Sequence, residues 1–174
     1  MIRSLLILII LLIAAFLVYI YSGTYNIAAS APHSELVTWI FNTTKKYSVK
    51  KHAEDIVQAD IYDEDLVKAG FEEYDEMCAG CHGSPGSDPY ESFNPPPPAL
   101  AKSRSGFSPS ELFWIVKNGI KMTGMPEFGS THGDDEIWEI TAFVVKLPDL
   151  TEEQYKAMKR EAGPELHEHT HESE

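Results

Sequence analysis

Cysteine is almost missing from this chain. There are two in 174 residues, and both fall within Cys78-Ala79-Gly80-Cys81. That scarcity excludes a disulfide-built domain, and a bridge between residues three apart would close too small a loop to stabilise much. Basic residues are scarce as well. Lys and Arg number 14 against 27 Asp and Glu, a formal net charge of −13. Such a balance argues against a nucleic-acid role, because phosphate binding needs a basic surface. No Lys or Arg stands between Arg3 and Lys45. Convincing strand patterns are absent too, so the chain reads as all-α with long ordered loops.

What is present is unevenly placed. Residues 5–21 form an uninterrupted apolar run without a charge. As a helix rising about 1.5 Å per residue, it nearly crosses a hydrocarbon core of roughly 30 Å. With Arg3 before it and no cation after it until Lys45, residues 1–22 are expected to be a transmembrane anchor. The N-terminus would lie in the cytoplasm and the remainder outside. Ala28-Ala29-Ser30 offers a cleavage site for the alternative, a removed signal peptide, but the run is longer than a usual signal core. Tyr19 and Tyr21 also suit a membrane interface. Either reading exports the domain.

Residues 23–63 read as a spacer followed by an amphipathic helix from Ser34 to about Ala59. Its apolar residues form two partial stripes, Leu36, Trp39, Ile40 and Tyr47, then Val49, Ala53, Ile56 and Val57. Lys45, Lys46, Lys50 and Lys51 sit in the middle. Three roles stay open: lying on the membrane with Trp39 and Phe41 as anchors, docking on a partner subunit, or packing on the chain's own domain.

Residues 64–148 carry the globular pattern. A helix is expected over roughly 64–79. A second starts at the Ser108 cap with Pro109 and Glu111 and stops at Gly119. A third, DDEIWEITAFVVK, opens on acids and ends at Pro148. Acid concentrates in residues 60–76 and again in residues 149–174, a His-containing tail that from Thr151 starts as an acidic and basic helix and whose end, unable to build a core, reads as disordered. His167, His169 and His171 there read as a solvated tail, with weak copper or zinc chelation the alternative. His33, His52 and His132 read as surface or loop residues.

Cys78-Ala79-Gly80-Cys81-His82 fits the C-x-x-C-H pattern of covalent haem c attachment. Two thiols three positions apart on a helical turn can each form a thioether to a vinyl group, and the next residue then falls under the ring as an iron ligand. A redox dithiol would need a βαβ setting, and a zinc site would need further ligands at matching spacing; neither is found. One haem per chain follows. For the second axial position, Met125 in KMTGMPEFG is favoured, framed by Gly124 and Pro126, with Met122 its local competitor. A methionine is ordinarily core filler, but a Gly- and Pro-rich loop is a poor place for filler.

With those residues in view, residues 66–147 resemble a class I monohaem cytochrome c domain. Gly70 and Tyr74 match the family's N-terminal helix; Trp138, Ala142 and Phe143 match the helix that crosses it; GMPEFG matches its methionine loop. The resemblance implies that Pro98 accepts a hydrogen bond from the proximal imidazole. Leu100 and Trp114 read as haem-pocket or core packing, and a hydrogen bond from Trp114 or Arg104 to a propionate is the less favoured reading. It implies no bond chemistry and no small-molecule substrate, only single-electron transfer between redox protein partners at the membrane. Two roles remain: a membrane-anchored carrier, or a permanent subunit of a membrane oxidoreductase docked through residues 34–59. A gas- or peroxide-binding iron is disfavoured by the methionine loop.

Overall fold

The computed structural model describes residues 2–163, which fall into two compact units divided between Ser34 and Glu35. The histidines of the tail, His167, His169 and His171, lie outside the described residues.

The first unit is helix α1, Ile2–Tyr21, with a short spacer after it. None of α1 is buried, and it is long and apolar enough to cross a membrane. In the spacer, the Tyr25 hydroxyl meets His33 Nδ1 at 2.7 Å and the two rings stack.

The second unit holds α2 (Glu35–Ala53), α3 (Glu64–Glu73), a π-helical turn (Tyr74–Cys78), α4 (Ala79–His82), α5 (Pro109–Asn118), α6 (Asp134–Lys146), a 3₁₀ turn (Leu147–Asp149) and α7 (Glu152–Ala162). No strand occurs among the described residues; one isolated bridge joins Ser84 and Ser87. The fold is all-α.

Local chemistry sets the helix ends. Asp63 caps α3 through the amides of Asp65 and Leu66. Ser108 and Glu111 cap each other's backbones at α5, with Ser108 N donating to Glu111 Oε2 at 2.7 Å, and Gly119 closes that helix at φ 64°. Gly133 N donates to Glu136 Oε2 at 2.6 Å at the start of α6.

The core is the crossing of α3 and α6. Gly70 makes it possible, because a Cβ there would collide with the Glu139 carbonyl, so the two backbones touch. Around this point Phe71, Tyr74, Ile137, Ile140 and Phe143 are all but fully buried. Each large apolar side chain so removed from water contributes about 1.5–3 kcal/mol before entropy is charged against it. Phe113 stacks on Trp138 at 4.3 Å and carries α5 onto the same core.

Two elements differ from the expected pattern. The amphipathic helix ends at Ala53 rather than near Ala59. Lys50, Lys51 and His52 favour its C-terminus, while Glu54 and Asp55 just beyond oppose its continuation. Ile56 and Ile61 then leave helical spacing to pack on the core, and Ser110 Oγ donates to Ile56 O at 3.2 Å. Beyond residue 149, the acidic tail begins with a packed helix, not only a solvated one. Tyr155 of α7 is buried against Phe71, and Met158 and Ala162 follow on the same side.

Candidate haem site

The helix leading to Cys78 does not run straight into it. After Glu73 the chain widens into the π turn, in which Ala79 N donates to Tyr74 O, before α4 begins. Nothing in residues 73–78 breaks a helix by composition, so the cause is tertiary. The Tyr74 hydroxyl reaches across the turn to donate to Gly83 O at 2.7 Å. Asp75 is gripped from α7, by the Tyr155 hydroxyl at 2.7 Å and by Lys159 at 2.7 Å. A π turn inside a helix often marks a functional position, and this one delivers both cysteines and His82.

Cys78 is buried and Cys81 half-buried; neither is in a disulfide. Burial, with smaller contributions from Glu73 and Cys81, pushes the Cys78 thiol up to about 12. His82 is half-buried, and its Nδ1 lies 3.0 Å from Pro98 O. That bond makes Nδ1 the protonated nitrogen and leaves Nε2 with the lone pair. Burial draws the imidazole below its ordinary value, only partly offset by the Pro98 bond, and the net shift favours the neutral ring.

Beyond His82 the chain turns sharply. Gly83 has φ 73°, and a Cβ there would lie 2.6 Å from Ser87 O and 2.9 Å from Pro89 N. The turn is closed by paired bonds between Ser84 and Ser87 and by Tyr90 N donating to Cys81 O at 2.9 Å.

The methionine loop hangs from the end of α5. Phe128 N and Gly129 N donate to Val116 O and Lys117 O at 3.2 and 2.9 Å, and Gly119 lies flat against Pro126. Within the loop, Ile120 N donates to Met125 O at 3.3 Å. The Thr123 hydroxyl donates to Ile120 O at 2.7 Å and accepts from Met125 N at 3.1 Å. The loop separates its two methionines: Met122 is 81% exposed at φ 61°, and Met125 is half-buried. A path of contacts joins the two segments. Cys81 holds Tyr90, the Tyr90 ring meets Phe93 edge-on at 5.2 Å, and Phe93 lies against Gly124, where a Cβ would sit 3.2 Å from the ring.

The remaining expected residues fall as follows. Leu100 packs half-buried against the core. Trp114 turns toward α2, its ring 5.4 Å from that of His52. Arg104 is engaged by Asp149 at 2.8 and 3.1 Å. His132 is tied into the domain, with Nε2 3.7 Å from Glu73 Oε2 and Nδ1 2.8 Å from the Thr131 hydroxyl. Thr123, Phe93 and Asp75 carry supporting contacts that sequence reasoning passed over. Thr-Gly-Met, a hydroxyl two residues before the methionine, was the available signal for the first; the other two depend on partners far along the chain.

Residues 65–144 match the family model described as cytochrome c oxidase, cbb3-type, subunit III. They form a c-type cytochrome domain. Its cofactor is covalently bound haem c, and such a domain transfers electrons. Among solved structures, the chain is similar to a chain of the reducing HAO-like protein complex of Kuenenia stuttgartiensis, with 25% identity and a TM-score of 0.39. That similarity covers 49% of this chain and 44% of that one, so this chain spans less than half of its length. It is also similar to cytochrome CL of Methylophaga aminisulfidivorans MPT, with 22% identity and a TM-score of 0.38, over 75% of this chain and 83% of that one. A comparison with curated protein sequences finds no match.

The donor set fits the cofactor. Two thiols lie a turn apart, followed by an imidazole whose Nδ1 is already committed to a carbonyl, as metal-bound histidines require.

Proposed function

We propose that the chain is a membrane-anchored monohaem cytochrome c carrying single electrons between respiratory partners on the outer face of the cytoplasmic membrane. Cys78 and Cys81 hold the haem as thioethers, His82 is the proximal iron ligand and Met125 the distal one. The observation that carries this reading is the His82 Nδ1–Pro98 O bond, which presents Nε2 of a neutral imidazole directly after the two thiols. Haem c, when bound, supplies a one-electron ferrous–ferric couple.

The chain's own residues set the conditions for that couple. Pro98 O fixes the His82 tautomer. Tyr74 and Asp75 hold the π turn in place. Thr123 holds the backbone of Met125, whose thioether would be the second iron ligand. Helix α1 spans the bilayer with the N-terminus in the cytoplasm, following the Arg3 asymmetry. The anchor keeps the carrier near membrane partners and raises its effective concentration there.

A pyridine haemochrome assay on the purified protein is expected to give one haem c per chain. Met125→Ala is expected to lower the reduction potential by roughly 0.1 V or more, within the ~0.8 V span that axial ligands control. An unchanged potential and oxidised spectrum would remove Met125 from the site.

A second reading makes the chain a permanent subunit of a membrane oxidoreductase, docked through residues 34–59. It is favoured by the oxidase-subunit description of the matching family. Co-purification of other subunits after gentle detergent extraction supports it; isolation of the chain alone supports the free carrier.

A further inference from the structure

Helix α2 uses one face and leaves another bare. Val49 and Ala53 are buried on the side that packs against α5, where His52 also meets Trp114. Leu36, Trp39, Ile40 and Tyr47 are 65, 63, 44 and 66% exposed. At about 100° per residue these four share an arc of roughly 100°, rotated about 110° from the buried face. Lys50 continues the arc at its C-terminal end, and Lys46 and Lys51 flank it, Lys51 also pairing with Glu54. The only acid within α2 is Glu35, at its first position.

We propose that this face of α2 lies on the surface of an anionic phospholipid bilayer, the same one that α1 spans. Three observations favour lipid over a soluble partner. In a chain of net charge −13, α2 is a cationic element with four lysines against one acid, so it is the part an anionic surface attracts. The apolar arc pairs Trp and Tyr with Leu and Ile, the residue types that settle at the headgroup boundary. The tether from α1 is short: residues 22–34, at most about 3.5 Å each, keep the start of α2 within roughly 45 Å of the end of the span. Because α2 also packs on α5, seating it on the bilayer fixes which side of the haem domain faces the membrane and which faces a partner. The proposal rests on α1 being a membrane span.

The test uses the full-length, haem-bearing chain in nanodiscs containing brominated lipid. No tryptophan lies in α1, so Trp39 reports on α2, and Trp39→Phe supplies the background from Trp114 and Trp138. In discs rich in anionic lipid, brominated chains are expected to quench the Trp39 emission at least about twofold. The Lys46→Glu, Lys50→Glu double variant is expected to abolish that quenching while still incorporating through α1. Should haem already quench Trp39, amine labelling of Lys46 and Lys50 gives the same reading, slowed at least about threefold in anionic relative to neutral discs. Incorporation without quenching or slowed labelling overturns the proposal and leaves the arc to a protein partner. Equal quenching in neutral discs, unaffected by the charge reversal, overturns the anionic-surface assignment. Failure to incorporate at all overturns the anchor and this proposal together.

Discussion

The α3–α6 crossing and the two loops bearing Pro98 and Met125 belong to one domain but are held in different ways. At the crossing, backbone meets backbone over Gly70, and five large side chains are at most 1% exposed. The loops bury little of their own. Tyr90 is 50% exposed, Phe93 39% and Met122 81%, and what shapes these segments is a set of backbone hydrogen bonds to the ends of α4 and α5. A helical frame finished by its own packing therefore presents two segments that gain order chiefly from what they touch. In the proposed carrier this division would let the frame hold His82 while the loops contribute Pro98 and Met125.

The comparison is broken most severely at Gly70. Gly70→Ala would drive a methyl group into the Glu139 carbonyl, and neither backbone can yield without separating the helices. The expected loss is more than about 3 kcal/mol, beyond ordinary overpacking, read as a large drop in the denaturant midpoint. A midpoint close to wild type would mean the crossing is looser than its packing indicates. The haem-free protein, made as Cys78→Ala with Cys81→Ala, sharpens the contrast. Amides of α6 should stay protected from hydrogen exchange, while those of Thr123, Met125 and Ser87 exchange at least about 100-fold faster than in the loaded protein, roughly 2.7 kcal/mol of local stability. Uniform loss of protection would show that the frame also depends on the cofactor.

The same contrast explains what could be read from the sequence. The frame was legible because its signals are local: the Ser108–Glu111 cap, the Gly119 stop, and the acids that open DDEIWEITAFVVK before Pro148. The C-x-x-C-H run was legible because its chemistry fits in five residues. The π turn was not, since it arises from Tyr74 reaching Gly83 and from Asp75 being held by Tyr155, eighty residues away. The packing of helix α7, not the helix itself, escaped notice, because its charge overshadowed a short stripe, Tyr155, Met158 and Ala162, placed after a Thr151–Gln154 cap. Trp114 meets His52 on α2, a contact no local pattern encodes.

Tyr74 links the two regions, with its ring in the frame and its hydroxyl on the first turn after His82. Tyr74→Phe keeps the ring against Phe143 and leaves Gly83 O without its buried donor. A loss of about 1–2 kcal/mol is expected. Since Gly83 adjoins His82, the haem-loaded variant should also show altered His82 resonances by NMR. A stability loss with an unchanged His82 environment would confine Tyr74 to the frame.

The smallest effect tests where the frame stops and the solvated surface begins. Glu73, the last residue of α3, has its carboxyl held above the usual range, chiefly by burial; His132 opposes the shift, and Glu136, Glu76 and Glu72 reinforce it. A raised carboxyl binds its proton more tightly in the folded state than in the unfolded one. As pH rises from about 4.5 through the raised value, the native state therefore holds more protons, and stability falls. Glu73→Gln removes that slope. It should leave stability at low pH little changed and raise it at neutral pH by less than about 1 kcal/mol, because the group is partly exposed and forfeits its contact with His132. Chemical denaturation across this pH range separates the two influences. A variant that is less stable than wild type at neutral pH would show that the His132 contact outweighs burial, and that the frame extends through Glu73 into the loop before α6.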